Sequence, residues 1–154
     1  MQTVESNYKT EIEKNGAIAF VPGGNSMWPT LKNRGQSVIV RKKEGRLKEY
    51  DVAFYLRDNG SFVLHRVMEV KEYGYVMLGD SQYNRESVLE EKVFGVLEGF
   101  YRGKKYITVD NPKYVRQVKR WFKHKFIRRV RLYLFYKGNA LKAKLKRLFS
   151  RREK

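Results

Sequence analysis

The chain has 154 residues and a mass of 18.4 kDa, the size of one domain with room for a terminal extension. Hydrophobic residues make up 42% of it, enough for a folded core. The absence of cysteine excludes disulfides, thiolate metal centres and cysteine nucleophiles. Two histidines, His65 and His124, argue against a histidine-rich metal site. Glycine and proline interrupt the longest uncharged stretch, residues 15–31, so we predict neither a membrane span nor a secretory signal.

The net charge of +18 is concentrated towards the C-terminus. Residues 113–154 contain 17 of the 34 basic residues and one acidic residue, whereas residues 1–112 contain 17 basic and 15 acidic residues. This change coincides with Pro112, a residue that favours the first turn of a helix. We therefore predict two parts, a nearly neutral domain over 1–112 and a basic helical tail over 113–154.

The predicted elements begin with a short polar helix over 4–14, which ends at Asn15-Gly16. Short segments rich in Val, Ile, Phe and Tyr follow, each bounded by turn residues. These predicted strands are 17–21, 37–41, 52–56, 62–70, 75–78, 94–101 and 106–109. Asp58-Asn59-Gly60 predicts a hairpin that leads into the strand containing His65. The expected fold class is α+β, a compact and mostly antiparallel β domain with helices at both ends.

The tail has apolar residues at steps of three or four, which predicts an amphipathic helix. Gly138-Asn139 is expected to interrupt it before a second short helix. The apolar line of the first helix includes Trp121, Phe122, Phe126, Val130 and Phe135; that of the second includes Leu141, Leu145, Leu148 and Phe149. Three interpretations stay open: binding to an anionic bilayer, docking on the β domain, and, less favoured, nucleic-acid binding, for which no base-reading motif is visible.

One segment of the predicted domain is unusual for structure alone, Gly23-Gly24-Asn25-Ser26-Met27-Trp28-Pro29-Thr30. Two glycines before Ser26 permit uncommon backbone dihedral angles, and Pro29 rigidifies the turn that follows. Such a turn would present the Ser26 hydroxyl beside backbone N–H groups that can receive an oxyanion. Because a serine hydroxyl is a weak nucleophile at neutral pH, Ser26 would need a base.

The candidate base is His65, in Val63-Leu64-His65-Arg66-Val67. Strand alternation puts His65 on one face with two valines and Arg66 on the other face. A single imidazole between two valines is either a buried structural histidine or a catalytic base. An acid would fix its tautomer, and Asp80 in the Gly79-Asp80 turn is the candidate for that role.

Taken in order, these segments resemble the serine peptidases that include signal peptidase I and the LexA-type repressors. The segment around Ser26 is similar to the nucleophile box of that group, and Gly79-Asp80 to its Gly-Asp box. The segment Leu47-Lys48-Glu49-Tyr50-Asp51-Val52-Ala53-Phe54-Tyr55 is similar to a strand that usually begins Gly-Asp-Val-Val. His65-Arg66-Val67 resembles the histidine box of the endoplasmic-reticulum and archaeal signal peptidases, which use Ser-His where other branches use Ser-Lys. The final glycine-bearing strand corresponds to Phe94-Gly95-Val96-Leu97.

The resemblance implies a serine endopeptidase that cleaves a leader, signal or precursor peptide and requires no metal or cofactor. Ser26 would be the nucleophile, His65 the general base and Asp80 the acid that orients His65. Glu86 is the nearest counterpart of a second acid in the Ser-His relatives, which often also carry a hydroxyl residue at the position of Gly24.

The membrane helix of signal peptidases and the DNA-binding domain of LexA-type repressors have no counterpart in this sequence. We therefore expect a stand-alone, soluble, cytoplasmic form, which would be peripheral at a membrane if the tail binds lipid. The alternative function is a catalytically silent adaptor that keeps the peptidase fold and binds peptide or membrane.

Overall fold

The computed structural model describes residues 5–32 and 35–150, with side chains over 8–32 and 35–144. It is an α+β protein built on an antiparallel sheet of eight strands, which confirms the predicted α+β class and the mostly antiparallel sheet. The predicted helix start at residue 4 and the end of the tail at 151–154 lie outside the described residues. The helices and strands are α1 (Glu5–Asn15), β1 (Ala17–Phe20), β2 (Val38–Lys42), β3 (Val52–Leu56), β4 (Phe62–Lys71), β5 (Gly74–Leu78), β6 (Glu86–Leu89), a 3-10 turn (Glu90–Lys92), β7 (Val93–Arg102), β8 (Lys105–Thr108), α2 (Pro112–Lys123) and α3 (Lys125–Ser150).

The strands are ordered β1-β2-β7-β3-β4-β5-β6, and β8 pairs with the C-terminal half of β7. The predicted hairpin joins β3 to β4, where the Gly60 N–H donates to the Arg57 carbonyl at 3.0 Å. In this register His65 of β4 lies opposite Ala53 of β3, and the next residue, Arg66, lies opposite Val52. The sheet thus places the candidate base at the centre of a buried strand.

Alternation along β3 divides its buried residues between two clusters. Tyr55 belongs to an apolar cluster contributed by β3, β4, β5, β6 and β7. Phe54 belongs to an aromatic cluster whose ring centroids lie 5.0 to 6.0 Å from its own, contributed by Tyr8, Phe20, Phe62 and Phe94. Through Tyr8, helix α1 covers this side of the sheet.

Two elements differ from the sequence-based expectations. The strand β6 was not predicted, because within this short segment only Val88 is buried and the apolar alternation is too brief to detect. Helix α3 continues through the predicted interruption at Gly138-Asn139, and the break between helices falls at His124 instead. One glycine costs an exposed helix about 1 kcal/mol, which is too little to end a helix of 26 residues.

The chain divides into two compact units, of which the first ends at Val118 and the second begins at Lys119. The charge boundary at 112/113 therefore marks the start of α2, six residues before the end of the first unit. The reason is that Tyr114 and Val118 are buried, and the Tyr114 ring lies 5.3 Å from that of Phe100. We call this first unit the β domain. Among the described residues, no helix has both the length and the apolar character to cross a bilayer.

Candidate active site

Ser26 lies in a tight turn within the loop between β1 and β2. The Trp28 N–H donates to the Asn25 carbonyl at 3.0 Å, so Ser26 and Met27 form the two central positions of the turn. Gly24 has a φ of +80°, in the left-handed region that favours glycine. Any side chain at Gly24 would therefore be strained.

The segment Gly79-Asp80-Ser81 holds this turn in place. The Ser81 N–H donates to the Ser26 carbonyl at 2.8 Å, and the Ser81 hydroxyl donates to the Asn25 carbonyl at 2.8 Å. Gly79 comes so close that a Cβ atom there would lie 2.8 Å from the Ser26 carbonyl oxygen. Glycine is required at this position because any side chain would displace the turn that carries Ser26.

Asp80 is fully buried in that segment, and Arg66 holds its carboxylate. The Arg66 Nε lies 2.8 Å from Oδ1 and Nη2 lies 2.7 Å from Oδ2, while the Thr30 hydroxyl also donates to Oδ2. Burial alone would lower the pKa of Arg66, but the Asp80 carboxylate outweighs it and raises that pKa. The expected contact between Asp80 and His65 is therefore replaced by an ion pair with Arg66, which extends from the opposite face of β4.

The acid that contacts His65 is Glu86, supplied by β6. The His65 Nδ1 lies 2.6 Å from the Glu86 Oε1 and 3.1 Å from the Tyr55 hydroxyl, which itself donates to the same Oε1. Because a carboxylate accepts hydrogen bonds, Nδ1 carries the ring proton and Nε2 keeps its lone pair. This is the tautomer that a general base needs.

Arg57, which follows β3, fixes the Glu86 carboxylate through Nε at 2.9 Å and Nη2 at 2.8 Å. Burial alone would raise the pKa of Glu86, but hydrogen bonds from Arg57, Tyr55 and His65 outweigh it and lower that pKa to about 2. Burial lowers the pKa of His65, and Glu86 offsets part of this effect. At neutral pH an ionised Glu86 therefore faces a neutral His65, which is the form that accepts a proton.

Ser26 and His65 line the same cavity, which has a volume of about 400 Å³. Arg57 and Gln82 add polar groups, and aromatic and aliphatic side chains such as Phe54 complete the wall. Both residues belong to the part of the chain that the structure describes, and no hydrogen bond joins the side chains of Ser26 and His65. Catalytic hydrogen bonds are often loose until substrate binds. Within the described part of the chain, the Ser26 N–H donates to no protein group.

A second, larger cavity of about 850 Å³ surrounds the β6 end of the sheet. It shares Tyr55, Arg57 and Glu86 with the network behind His65, but neither Ser26 nor His65 lines it. The smaller cavity is therefore the candidate active site, because it alone of the two is lined by both the candidate nucleophile and the candidate base.

Several side chains of this arrangement, among them Tyr55, Arg57 and Thr30, were not among the predicted site residues. Tyr55 had a local signal, because it lies two residues after Ala53 and so shares a face with His65 across the β3–β4 pair. Arg57 and Thr30 had none, since their partners come from distant segments of the chain.

Comparisons with known proteins do not assign a function, so the assignment depends on the geometry of the site. No family model, no curated protein and no solved structure matches this chain. Among the described residues, no group of three or more His, Cys, Asp or Glu side chains is placed to hold a metal ion.

Proposed function

We propose that this protein is a serine endopeptidase in which Ser26 is the nucleophile and His65 the general base. The proposal rests on the 2.6 Å contact between the His65 Nδ1 and Glu86, in a histidine that lines one cavity with Ser26. That contact leaves Nε2 unprotonated and able to accept the Ser26 proton. Glu86 takes the orienting role that the sequence assigned to Asp80, so the proposed triad is Ser26-His65-Glu86.

In the proposed reaction, the Ser26 oxygen attacks the carbonyl carbon of a peptide bond while His65 takes the hydroxyl proton. The Ser26 N–H donates to the oxyanion that forms. The His65 imidazolium, stabilised by Glu86, then gives its proton to the leaving amine as the C–N bond breaks. Water attacks the acyl-enzyme ester, His65 accepts a proton from it, and Ser26 regains its own proton as the acid product leaves.

One backbone feature supports the resemblance to the signal peptidase group. Tyr50 has a φ of +72°, and it stands where the relatives usually carry the glycine of Gly-Asp-Val-Val. This conformation is strained for tyrosine and free of strain for glycine. The Tyr50 carbonyl accepts a hydrogen bond from the Arg66 Nη1 at 2.8 Å. A glycine at this position, as in that box, would remove the backbone strain.

The proposed substrate is a leader, signal or precursor peptide bound in an extended conformation, as in strand addition to a sheet edge. Small residues before the scissile bond would suit a site of this type. The proposed location is the cytoplasm.

A serine-reactive acylating probe tests the proposal without a known substrate. Intact-mass spectrometry of the wild-type protein should show one adduct, and fragmentation should map it to Ser26. The variants Ser26→Ala and His65→Gln should lose the adduct, whereas Ser87→Ala, at an exposed serine of β6, should keep it. An adduct that persists in Ser26→Ala would rule out Ser26 as the nucleophile. A wild-type protein that neither reacts nor cleaves peptides would favour the adaptor function.

The pH dependence of cleavage gives a second test. Because burial lowers the pKa of His65 and only the neutral ring accepts a proton, activity should persist below pH 6.5 and fall at lower pH as His65 becomes protonated. Glu86→Gln removes the carboxylate that favours the protonated ring, so the acid limb should move to still lower pH. The same variant should reduce kcat by roughly 10²-fold or more, because the tautomer and the imidazolium lose their support.

The matched control for this pH measurement is Glu90→Gln, whose carboxylate is held by Lys43 and Tyr75 rather than by His65. Its pH–rate profile should overlay that of the wild-type protein. An acid limb that stays in place in Glu86→Gln would show that Glu86 does not act through His65.

A further inference from the structure

Helix α3 presents a row of large apolar side chains to solvent, which we call the exposed stripe. Phe126 is 78% exposed and Leu134 is 62% exposed, although both are large hydrophobic residues. The members of the stripe are Phe126, Ile127, Val130, Tyr133, Leu134 and Leu141. Contiguous exposed apolar surface of this kind indicates an interaction site.

The stripe is separate from the buried side of the same helix. Leu132 is fully buried, and Val130, near the centre of the stripe, lies two residues away. Two residues correspond to about 200° around a helix, so these two side chains point in nearly opposite directions. A helix that packs by one face normally carries polar residues on the other. The exposed stripe is thus a second apolar face, beyond what burial of α3 requires.

This stripe differs from the apolar line expected from the sequence. That line combined Trp121 and Phe135 with Phe126 and Val130, but Trp121 is buried and Phe135 is half-buried. The exposed face lies further round the helix and includes Tyr133, which the sequence pattern did not single out.

The charge around the stripe has one sign. Helix α3 contains nine basic residues and no acidic residue over its 26 positions. Arg131 is exposed beside the stripe, and Lys137 lies within it with its Nζ 5.5 Å from the centre of the Tyr133 ring. Lysine side chains on an apolar face can extend along it and keep their ammonium groups in water.

We propose that the exposed stripe binds the surface of an anionic lipid bilayer, with α3 lying in the plane of the headgroups. Apolar residues would enter the boundary with the acyl chains, and the basic residues would face lipid phosphates. Nucleic-acid phosphates would pair with the same cations but leave Phe126 and Leu134 in water, so charge complementarity together with the stripe favours lipid. This inference goes beyond the proposed peptidase activity and does not depend on it.

Co-sedimentation of the full-length protein with vesicles tests the proposal. The protein should bind phosphatidylcholine vesicles that contain phosphatidylglycerol and bind pure phosphatidylcholine much less. Binding should weaken as salt rises, because the electrostatic attraction fades within a Debye length.

Matched double variants separate the apolar and the charged contributions. Phe126→Ser with Leu134→Ser should weaken binding by roughly tenfold or more, because two large side chains no longer leave water. The control, Tyr73→Ser with Leu89→Ser, removes two exposed apolar side chains from the β domain and should bind like the wild-type protein.

Arg131→Gln with Lys137→Gln should weaken low-salt binding by roughly 25-fold, since each base near the surface contributes about fivefold. Its control, Lys104→Gln with Lys105→Gln, removes two exposed charges from the β7–β8 hairpin and should have little effect.

Several outcomes would overturn the proposal. The first is a full-length protein that does not bind anionic vesicles at low salt. If the Phe126/Leu134 variant then also melts at a lower temperature than the wild-type protein, the exposed stripe docks within the protein instead. If the Phe126/Leu134 variant binds vesicles as well as the wild-type protein does, charge alone accounts for the binding. Preferential binding to duplex DNA in fluorescence anisotropy, unaffected by that change, would identify nucleic acid as the partner. Circular dichroism of each variant establishes that it is folded.

Discussion

Ser26→Ala is expected to reduce the rate of peptide cleavage by about 10³-fold or more while the protein stays folded. The change removes the proposed attacking oxygen but none of the contacts that hold the turn, because Ser81 binds the carbonyl groups of Asn25 and Ser26 rather than the Ser26 hydroxyl. His65→Gln should cause a similar loss. The double variant should cleave peptide no more slowly than either single variant, since a nucleophile and its base act as one unit.

Mass spectrometry of a peptide library after digestion measures this effect, and circular dichroism tests the fold. His124→Gln is the matched control, because His124 is exposed and lies in the second compact unit. It should cleave like the wild-type protein. Cleavage by Ser26→Ala at the wild-type rate would exclude the proposed mechanism.

Of the single substitutions proposed for this protein, Arg66→Met is expected to destabilise it most, lowering the free energy of unfolding by roughly 3 to 5 kcal/mol. The reason is that Asp80 is fully buried and would lose the guanidinium that donates to both of its carboxylate oxygens. The Arg66 guanidinium also donates to the Tyr50 carbonyl and to the Tyr114 hydroxyl, so its removal takes one hydrogen-bond donor from each of these groups. Urea denaturation followed by circular dichroism measures the change.

Lys71→Met provides the control, because the ion pair between Lys71 and Glu69 is exposed and such pairs contribute at most about 1 kcal/mol. If Arg66→Met fails to fold, the double variant Arg66→Met with Asp80→Leu keeps the prediction testable. Replacing both charges should recover much of the stability, since no buried charge remains. Equal stability of Arg66→Met and Lys71→Met would contradict the assignment.

Much of the fold could be predicted because it depends on local patterns. Alternation defined β4 and gave His65 and Arg66 opposite directions, and the Asp58-Asn59-Gly60 turn identified the hairpin before it. The two glycines and the proline around Ser26 indicated an unusual turn. Each of these signals lies within about ten residues of the chain, a range over which sequence pattern is informative.

The partners of the site residues could not be predicted in the same way. Glu86 reaches His65 only because β4, β5 and β6 are paired so that Met77 lies opposite both Val67 and Glu86. This double register joins segments about twenty residues apart, and no local pattern in a strand as short as β6 encodes it. For the same reason, the pairing of Asp80 with Arg66 rather than with His65 emerged only from the folded chain.

The adjacency of His65 and Arg66 also limits how this protein can change during evolution. The His65 side chain would act as the proposed general base. The Arg66 side chain binds Asp80, whose segment holds the turn that contains Ser26. A deletion or insertion of a single residue just before them in β4 would exchange their directions, placing a guanidinium where the imidazole belongs. Both functions would be lost in one mutational event. We therefore expect the first half of this strand to tolerate substitutions better than a change in its length.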